Sequence, residues 1–206
     1  MDQRTDEWFK SRLGKATASR IADIIAKTKT GPSASRENYA VQLVLERITQ
    51  TKGESYSNAA MQWGTETEPL ARQAYELKRG LFVDEVGFID HPTIANSGAS
   101  PDGLVGTDGL VEIKCPNSAT HMETLVTRKI PQKYIPQMTW QMACTGRSWC
   151  DFVSFDPRFP ENLQIFIERI EYDPTYVRML ELEVTQFLDE VEKKVEILRK
   201  MKWAKF

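Results

Sequence analysis

Within residues 100–115, Ser-Pro-Asp-Gly-Leu-Val-Gly-Thr-Asp-Gly-Leu-Val-Glu-Ile-Lys-Cys, two carboxylates and one ammonium group fall at a spacing suited to hydrolysis. Asp102 lies ten residues before Glu112, and Lys114 follows Glu112 by two. The turn pairs Asp102-Gly103 and Asp108-Gly109 interrupt the stretch and leave 110–115 as a strand. Residues two apart on a strand share a face, so Glu112 and Lys114 point the same way. Asp102, arriving on the neighbouring segment, would join them. Such a group suits a hard cation with a water to be activated beside it. The solvated face of an ordinary charged hairpin would show the same alternation with Val111 and Ile113, so the other segments must decide.

Three further groups bear on that choice. Glu68, in Trp63-Gly64-Thr65-Glu66-Thr67-Glu68-Pro69, is expected in the first turn of a helix, where the dipole favours a carboxylate of any function. Tyr134, Gln137 and Gln141 have helical spacing and would line one face, as a solvated stripe or as donors to a phosphate or a metal-bound water. Arg12 and Ser19 flank Leu13-Gly14-Lys15-Ala16-Thr17-Ala18 at the start of a helix that Thr17 is expected to cap. Helix N-termini present free N–H groups to anions, and arginine offers phosphate a bidentate fork. His91 and His121, the only histidines, have no metal-ligand spacing and read as packing or surface groups, and Cys115 reads as a small buried hydrophobe. There is no glycine-rich loop of the ATPase type, so no ATP use is expected.

Positioning these groups requires a helical first part, a strand-rich middle and a helical end. Helices are expected at the start, with Thr5 as a cap before Trp8, Phe9 and Leu13, and from Thr17, with Ile21, Ile24 and Ile25. A mobile polar loop is expected at 27–35. A helix at 35–50 would carry the stripe Val41, Val44, Leu45 and Ile48. After a polar loop at 51–57 and the segment 58–61, a helix at 66–78 would carry Leu70, Ala71, Ala74 and Leu77 and end at Gly80. Strands are expected at 81–89, 94–100, 103–105, 110–115, 150–155 and 163–170, with helices at 121–129 and 133–145. Asp173-Pro174 pairs an N-cap with proline at the first helical position and starts a last helix to about residue 200. Its apolar side would hold Val177, Leu180, Val184, Phe187, Leu188, Val191 and Leu198, as core or as subunit contact. The predicted fold is α/β (α+β), a small mixed sheet flanked by helices in one domain over 1–206. Its helical part would be 1–80, its sheet core 81–172 and its last helix 173–206.

Bulk properties exclude little. A length of 206 residues supports a sizeable core, and 41% hydrophobic with 27% charged residues is ordinary for a globular chain. No apolar run reaches the roughly 18 residues of a membrane span. No signal-peptide plan opens the chain. Three cysteines make no disulfide framework, so a cytoplasmic location is expected. They also cannot supply the four thiolates of an iron–sulfur cluster. The net charge of −2 gives no sign of nucleic-acid binding, though an acidic exterior can surround a basic channel.

Taken in order along the chain, these segments resemble the lambda-exonuclease family of phage recombination nucleases. That family is a branch of the restriction-endonuclease-like superfamily, whose signature is Pro-Asp, a spacer, then Asp/Glu-x-Lys. Here the signature reads Pro101-Asp102 and Glu112-Ile113-Lys114. The branch-level blocks are Trp8 with Arg12-Leu13-Gly14 and Thr17-Ala18-Ser19, Trp63-Gly64 with Glu68, Ser100 to Leu104, Leu110 to Pro116, Tyr134 with Gln137, and Tyr172. The resemblance implies that Asp102, Glu112 and the backbone carbonyl of Val111 bind Mg²⁺, with Mn²⁺ as a substitute. Glu68 would hold a second metal or position the attacking water, Lys114 would orient and deprotonate that water, and Tyr134 and Gln137 would support the site. Arg12, Ser19 and Ser100 match positions that hold a terminal 5′-phosphate. The resemblance further implies a ring-shaped homotrimer in the cytoplasm of a bacterial or phage-infected cell. Such a ring would digest one strand of duplex DNA processively, 5′→3′, and pass a 3′ overhang to a single-strand annealing protein. The alternatives are another nuclease of the superfamily, acting internally or in repair, and a catalytically silent DNA-end-binding adaptor.

Overall fold

The computed structural model describes residues 3–29, 31–53 and 59–201. The first part holds α1 (Asp6–Arg12), β1 (Ala16–Thr17), α2 (Ile21–Ile25), the pair β2 (Lys27–Thr28) and β3 (Gly31–Pro32), α3 (Ala34–Thr49) and α4 (Ala59–Arg79). The middle holds β4 (Val83–Asp84), β5 (Ile89–Asp90), β6 (Ser97–Ala99), β7 (Gly103–Val105), β8 (Gly109–Lys114), α5 (Ser118–Thr127) and α6 (Ile135–Thr145). Two long strands, β9 (Trp149–Phe155) and β10 (Ile165–Glu171), and the helix α7 (Pro174–Lys200) complete the described chain. This is the mixed α/β fold expected.

A five-stranded sheet in the order β10-β9-β8-β7-β4 carries the candidate site. Strand β8 runs parallel to β9 and antiparallel to β7, with Gly103 opposite Val111 and Glu112 opposite Phe152. Strand β8 is buried from Gly109 to Ile113, and only Lys114 at its end is partly exposed. Its alternate residues serve different layers: Val111 and Ile113 pack with Ala71 and Tyr75 of α4, whereas Leu110 packs with Met138 and Met142 of α6. A second sheet, β1-β6-β5, leads into Ser100. Helices α2, α3, α6 and α7 enclose the largest apolar cluster, built around Ile21, Ile24, Leu43, Trp140, Leu180 and Phe187. Helix α7 starts where expected: the Asp173 carboxylate accepts from the N–H groups of Thr175 and Tyr176 at 2.9 and 3.2 Å.

Several local expectations are corrected. The segment expected as a loop at 27–35 contains the short antiparallel pair β2–β3. The helix expected from residue 35 begins at Ala34 and is capped by Ser33, which accepts from Arg36 N–H. The buried face of α3 is Tyr39, Ala40, Leu43 and Val44, while Val41 (51% exposed) and Leu45 (54%) lie outside with Ile48. The larger ring of Tyr39, stacked on Phe187 at 5.4 Å, turns the helix away from the aliphatic stripe. In α4 the buried residues are Thr67, Ala71 and Tyr75, and Leu70 and Leu77 are exposed. Because α4 begins at Ala59, Glu68 lies in its interior beside Pro69 rather than in its first turn. Thr17 makes no side-chain cap, and a 3-10 turn (Ala18–Arg20) precedes α2. The strand expected at 81–89 divides into β4 and β5, which join different sheets. Tyr134 belongs to a 3-10 turn (Gln132–Tyr134) ahead of α6, so it does not continue the helical face of Gln137 and Gln141. Val195, not Leu198, completes the buried stripe of α7. Parts of the expected loop at 51–57, the start of segment 58–61 and the residues beyond 201 lie outside the described residues.

Candidate active site

The strand geometry brings Glu112 and Lys114 to one face, where Lys114 Nζ touches Glu112 Oε1. Glu112 is fully buried. A carboxylate in that position needs donors to offset its lost hydration. Helix α6 supplies two from successive turns: Gln137 Nε2 donates to Oε1 at 2.5 Å and Gln141 Nε2 to Oε2 at 2.6 Å. Their four-residue spacing is the helical repeat that places both amides over one strand residue. The two glutamines therefore hold Glu112 directly.

Asp102 precedes β7, and its Oδ2 accepts from the backbone N–H of Ile113 at 2.7 Å. That bond sets Asp102 beside the strand between Glu112 and Lys114. Burial and then the Glu112 charge push the Asp102 carboxyl well above the usual range, only partly opposed by Lys114. Burial works against the Lys114 ammonium, but Glu112 and Asp102 outweigh it and raise its pKa. In this arrangement Lys114 is a fixed cation. Its Nζ lies 5.3 Å from the ring centroid of Tyr134, which stacks on Phe152 at 5.5 Å.

Glu68 faces the same cleft from α4, a cavity of about 560 Å³ lined also by Arg4, Asp102, Lys114, Cys115 and Tyr134. Both its oxygens are engaged: Arg4 Nη2 lies 2.6 Å from Oε2 and Arg72 Nη2 3.3 Å from Oε1. Glu85 holds Arg72 from the other side. Burial and the charges of Glu68 and Asp102 push the Cys115 thiol up to about 12, which leaves it inert.

The donor chemistry at Asp102 and Glu112 fits a hard divalent cation, since both offer only oxygen. A carboxyl raised first by burial and then by a neighbouring carboxylate, as Asp102 is, is an electrostatic setting that a cation relieves. Among the described residues no set of three or more His, Cys, Asp or Glu side chains is gathered for a metal. Any ion held there would draw on Asp102, Glu112, backbone oxygen such as that of Val111, and water.

A second cavity, of about 340 Å³, adjoins the first, and Met61 lines both. It is lined by Arg12, Lys15, Ser19 and Arg20 together with Trp8 and Tyr39. The Arg12 guanidinium lies 4.1 Å above the Trp8 ring centroid. Ser100 Oγ accepts from Arg12 Nη1 at 3.1 Å and from Trp8 Nε1 at 2.9 Å. Ser100 is two residues from Asp102, so one short segment lines the first cavity and holds the Arg12 side chain that lines the second. The turn joining Arg12 to Ser19 is fixed by α3. Gly14 N–H donates to Glu46 Oε2, Arg47 Nε donates to Gly14 O, and Thr17 N–H donates to the Tyr39 hydroxyl. Gly14 has φ +68, and a Cβ there would stand 2.7 Å from Arg47 Cγ, so the close turn needs glycine.

Residues 7–148 match the model of the YqaJ-like viral recombinase domain, more than half of the chain. The chain belongs to the YqaJ-like viral recombinase family. Among solved structures it is similar to the alkaline exonuclease LHK-Exo from Laribacter hongkongensis, at 55% identity over 95% of this chain and 97% of that one, with a TM-score of 0.89. The structure of LHK-Exo in complex with dAMP matches equally, with a TM-score of 0.90 at the same identity and coverage. A phage-related exonuclease from Haemophilus somnus 129PT shares the fold, at 14% identity and a TM-score of 0.72 over 89% of this chain and 96% of that one. No curated relative matches the chain significantly. Family membership and the likeness to LHK-Exo support a nuclease role.

The sequence-derived residues divide between two places. Asp102, Lys114, Glu68 and Tyr134 line the first cleft, with Glu112 buried behind them and held by Gln137; Arg12 and Ser19 line the second cavity, and Ser100 is bonded to Arg12. Gln141 acts at Glu112 as directly as Gln137, and the four-residue repeat signalled it. Arg72 follows Glu68 by four residues on α4, a helical spacing that pairs them, whereas Arg4 carried no local signal, because its contact to Glu68 joins residues 64 apart.

Proposed function

We propose that this protein is a Mg²⁺-dependent exonuclease that degrades one strand of linear duplex DNA in the 5′→3′ direction and leaves a 3′ overhang for recombination. The observation that carries this reading is the adjacency of two cavities. One holds Asp102 and Lys114 with Glu112 behind them; the other is lined by Arg12, Lys15, Ser19 and Arg20. A phosphodiester is anionic, so hydrolysis needs charge neutralisation and an aligned nucleophile. Asp102 and Glu112, with the Val111 carbonyl, would hold Mg²⁺ or Mn²⁺, which supplies an acidified water and stabilises developing negative charge. Gln137 and Gln141 fix Glu112, Lys114 orients the water as a nearby cation, and Tyr134 packs against that lysine. Glu68 is the further carboxylate available beside the cleft.

Arg12 supplies the fork for a terminal 5′-phosphate, with Ser19 lining the same cavity and Ser100 orienting the guanidinium. An anchor next to the cleavage centre measures distance from a DNA end, which an internally cutting enzyme does not need. LHK-Exo, crystallised with dAMP, is named an exonuclease, and its 55% identity supports end-directed cleavage here. The accompanying assembly is a homotrimeric ring around DNA, which makes digestion processive by preventing the substrate from diffusing away. Its partner is a single-strand annealing protein. Arg12→Ala tests the anchor: the rate ratio between 5′-phosphorylated and 5′-hydroxyl duplexes is expected to fall towards one, and an unchanged ratio removes Arg12 from that role.

A further inference from the structure

We infer that Arg4 is a substrate-contacting residue, an exchangeable cation that covers Glu68 in the free protein and moves to a phosphate of the bound strand. The inference rests on the nuclease reading above and adds a contact to it. Arg4 lines the candidate catalytic cleft. Its side chain is 48% exposed, and Nη2 lies 2.6 Å from Glu68 Oε2. The Glu68 side chain is only 17% exposed, but Arg72 stays on it, so the solvent-facing Arg4 guanidinium is the partner that a competing anion can take. Arg72 differs, because it is mostly buried and held by Glu85 as well as Glu68. When Arg4 leaves, Arg72 remains to neutralise one oxygen of Glu68 and the other faces the cleft.

The backbone supports a functional position. Arg4 has φ +69, a left-handed conformation uncommon for a residue with a Cβ. The preceding residue is anchored: Gln3 Nε2 donates to Val86 O at 2.9 Å and to Pro101 O at 2.7 Å. Pro101 is the neighbour of Asp102, so this strap fixes the Arg4 backbone against the segment that carries the catalytic aspartate. Only the guanidinium is left to change partners, and a guanidinium matches phosphate with two parallel hydrogen bonds.

The test is binding of a 5′-phosphorylated duplex, kept uncleaved with Ca²⁺ in place of Mg²⁺, across a salt series for the wild type, Arg4→Ala and Arg4→Lys. Each protein–phosphate contact contributes about 0.9 to the slope of log affinity against log salt. Arg4→Ala is expected to bind more weakly and to flatten the slope by about 0.9, whereas Arg4→Lys keeps the slope. A lost Glu68 partner alone would leave the slope unchanged. Equal slopes for the wild type and Arg4→Ala overturn the inference. A wild type that neither binds nor, with Mg²⁺, cleaves duplex ends overturns the nuclease reading instead.

Discussion

Glu112 is the residue on which the candidate chemistry turns, and its environment explains why. A carboxylate with no exposed surface is held by two amide donors and a lysine, so each donor has a predictable weight. Gln141→Leu keeps the volume and removes the donor to Oε2. By analogy with groups that orient metal-binding carboxylates, it should cost about 10–100-fold in activity or metal affinity, measured by steady-state cleavage and Mn²⁺ titration. An unaltered Mn²⁺ affinity together with unaltered cleavage would show that Gln141 is only packing. Lys114→Ala should lower cleavage by at least about 10²-fold while duplex binding persists, because it removes the cation beside the reacting centre but no proposed metal ligand. A loss of binding equal to the loss of rate would contradict that assignment. At this scale the sequence was informative: the two-residue period of β8 placed Glu112 and Lys114 together, and the four-residue repeat paired Gln137 with Gln141. Arg4 was illegible, since an ion pair between residues 64 apart has no periodic trace.

At the level of elements, the site is held by pieces that do no chemistry. The loop after β9 is tied by Asp156, which is buried and accepts from Arg158 Nε and Nη2 and from Ser118 Oγ at the start of α5, each at 2.8 Å. Burial would raise its pKa, but the bonds from Arg158 and Ser118 prevail and hold it at about 2. A depressed carboxylate stabilises the fold above its unfolded pKa of about 3.9 and loses that contribution as pH falls through 2. The difference in Tm between the wild type and Asp156→Asn should therefore be steady above about pH 5 and shrink between about pH 4 and 2. A gap that stays constant through that range would contradict the pairing. In the helical layer, Phe187 of α7 is fully buried and stacked on Tyr39, so Phe187→Ala should cost about 3–5 kcal/mol of stability in urea unfolding. A loss below about 1 kcal/mol would mean that the α3–α7 contact is loose. Helix α7 was readable because its cap and its apolar period agree. The burial of α3 was not, because Val41, Leu45 and Ile48 imitate a core stripe while Tyr39 decides the rotation.

On the scale of the molecule, a chain of net charge −2 presents cationic groups where two cavities meet. Bulk charge concealed this, because the attraction of a phosphate depends on the placement of Arg4, Arg12, Lys15 and Arg20 and not on their sum. No helix among the described residues is long and apolar enough to cross a membrane. The fold follows from ordered motifs spread across most of the chain, whereas the proposed trimeric ring leaves no mark in periodicity or composition. Light scattering should give three times the 23.6 kDa of one chain, and a monomer at working concentration would defeat the ring. The central claim is directional cleavage from a phosphorylated end, and one measurement addresses it: a 5′-phosphorylated linear duplex, labelled at either the 5′ or the 3′ terminus of one strand, incubated with Mg²⁺. The expected result is early release of the 5′ label as mononucleotide, late release of the 3′ label, and no reaction in EDTA or on closed circles. Early release of the 3′ label, or internal cuts in a circle, would contradict it.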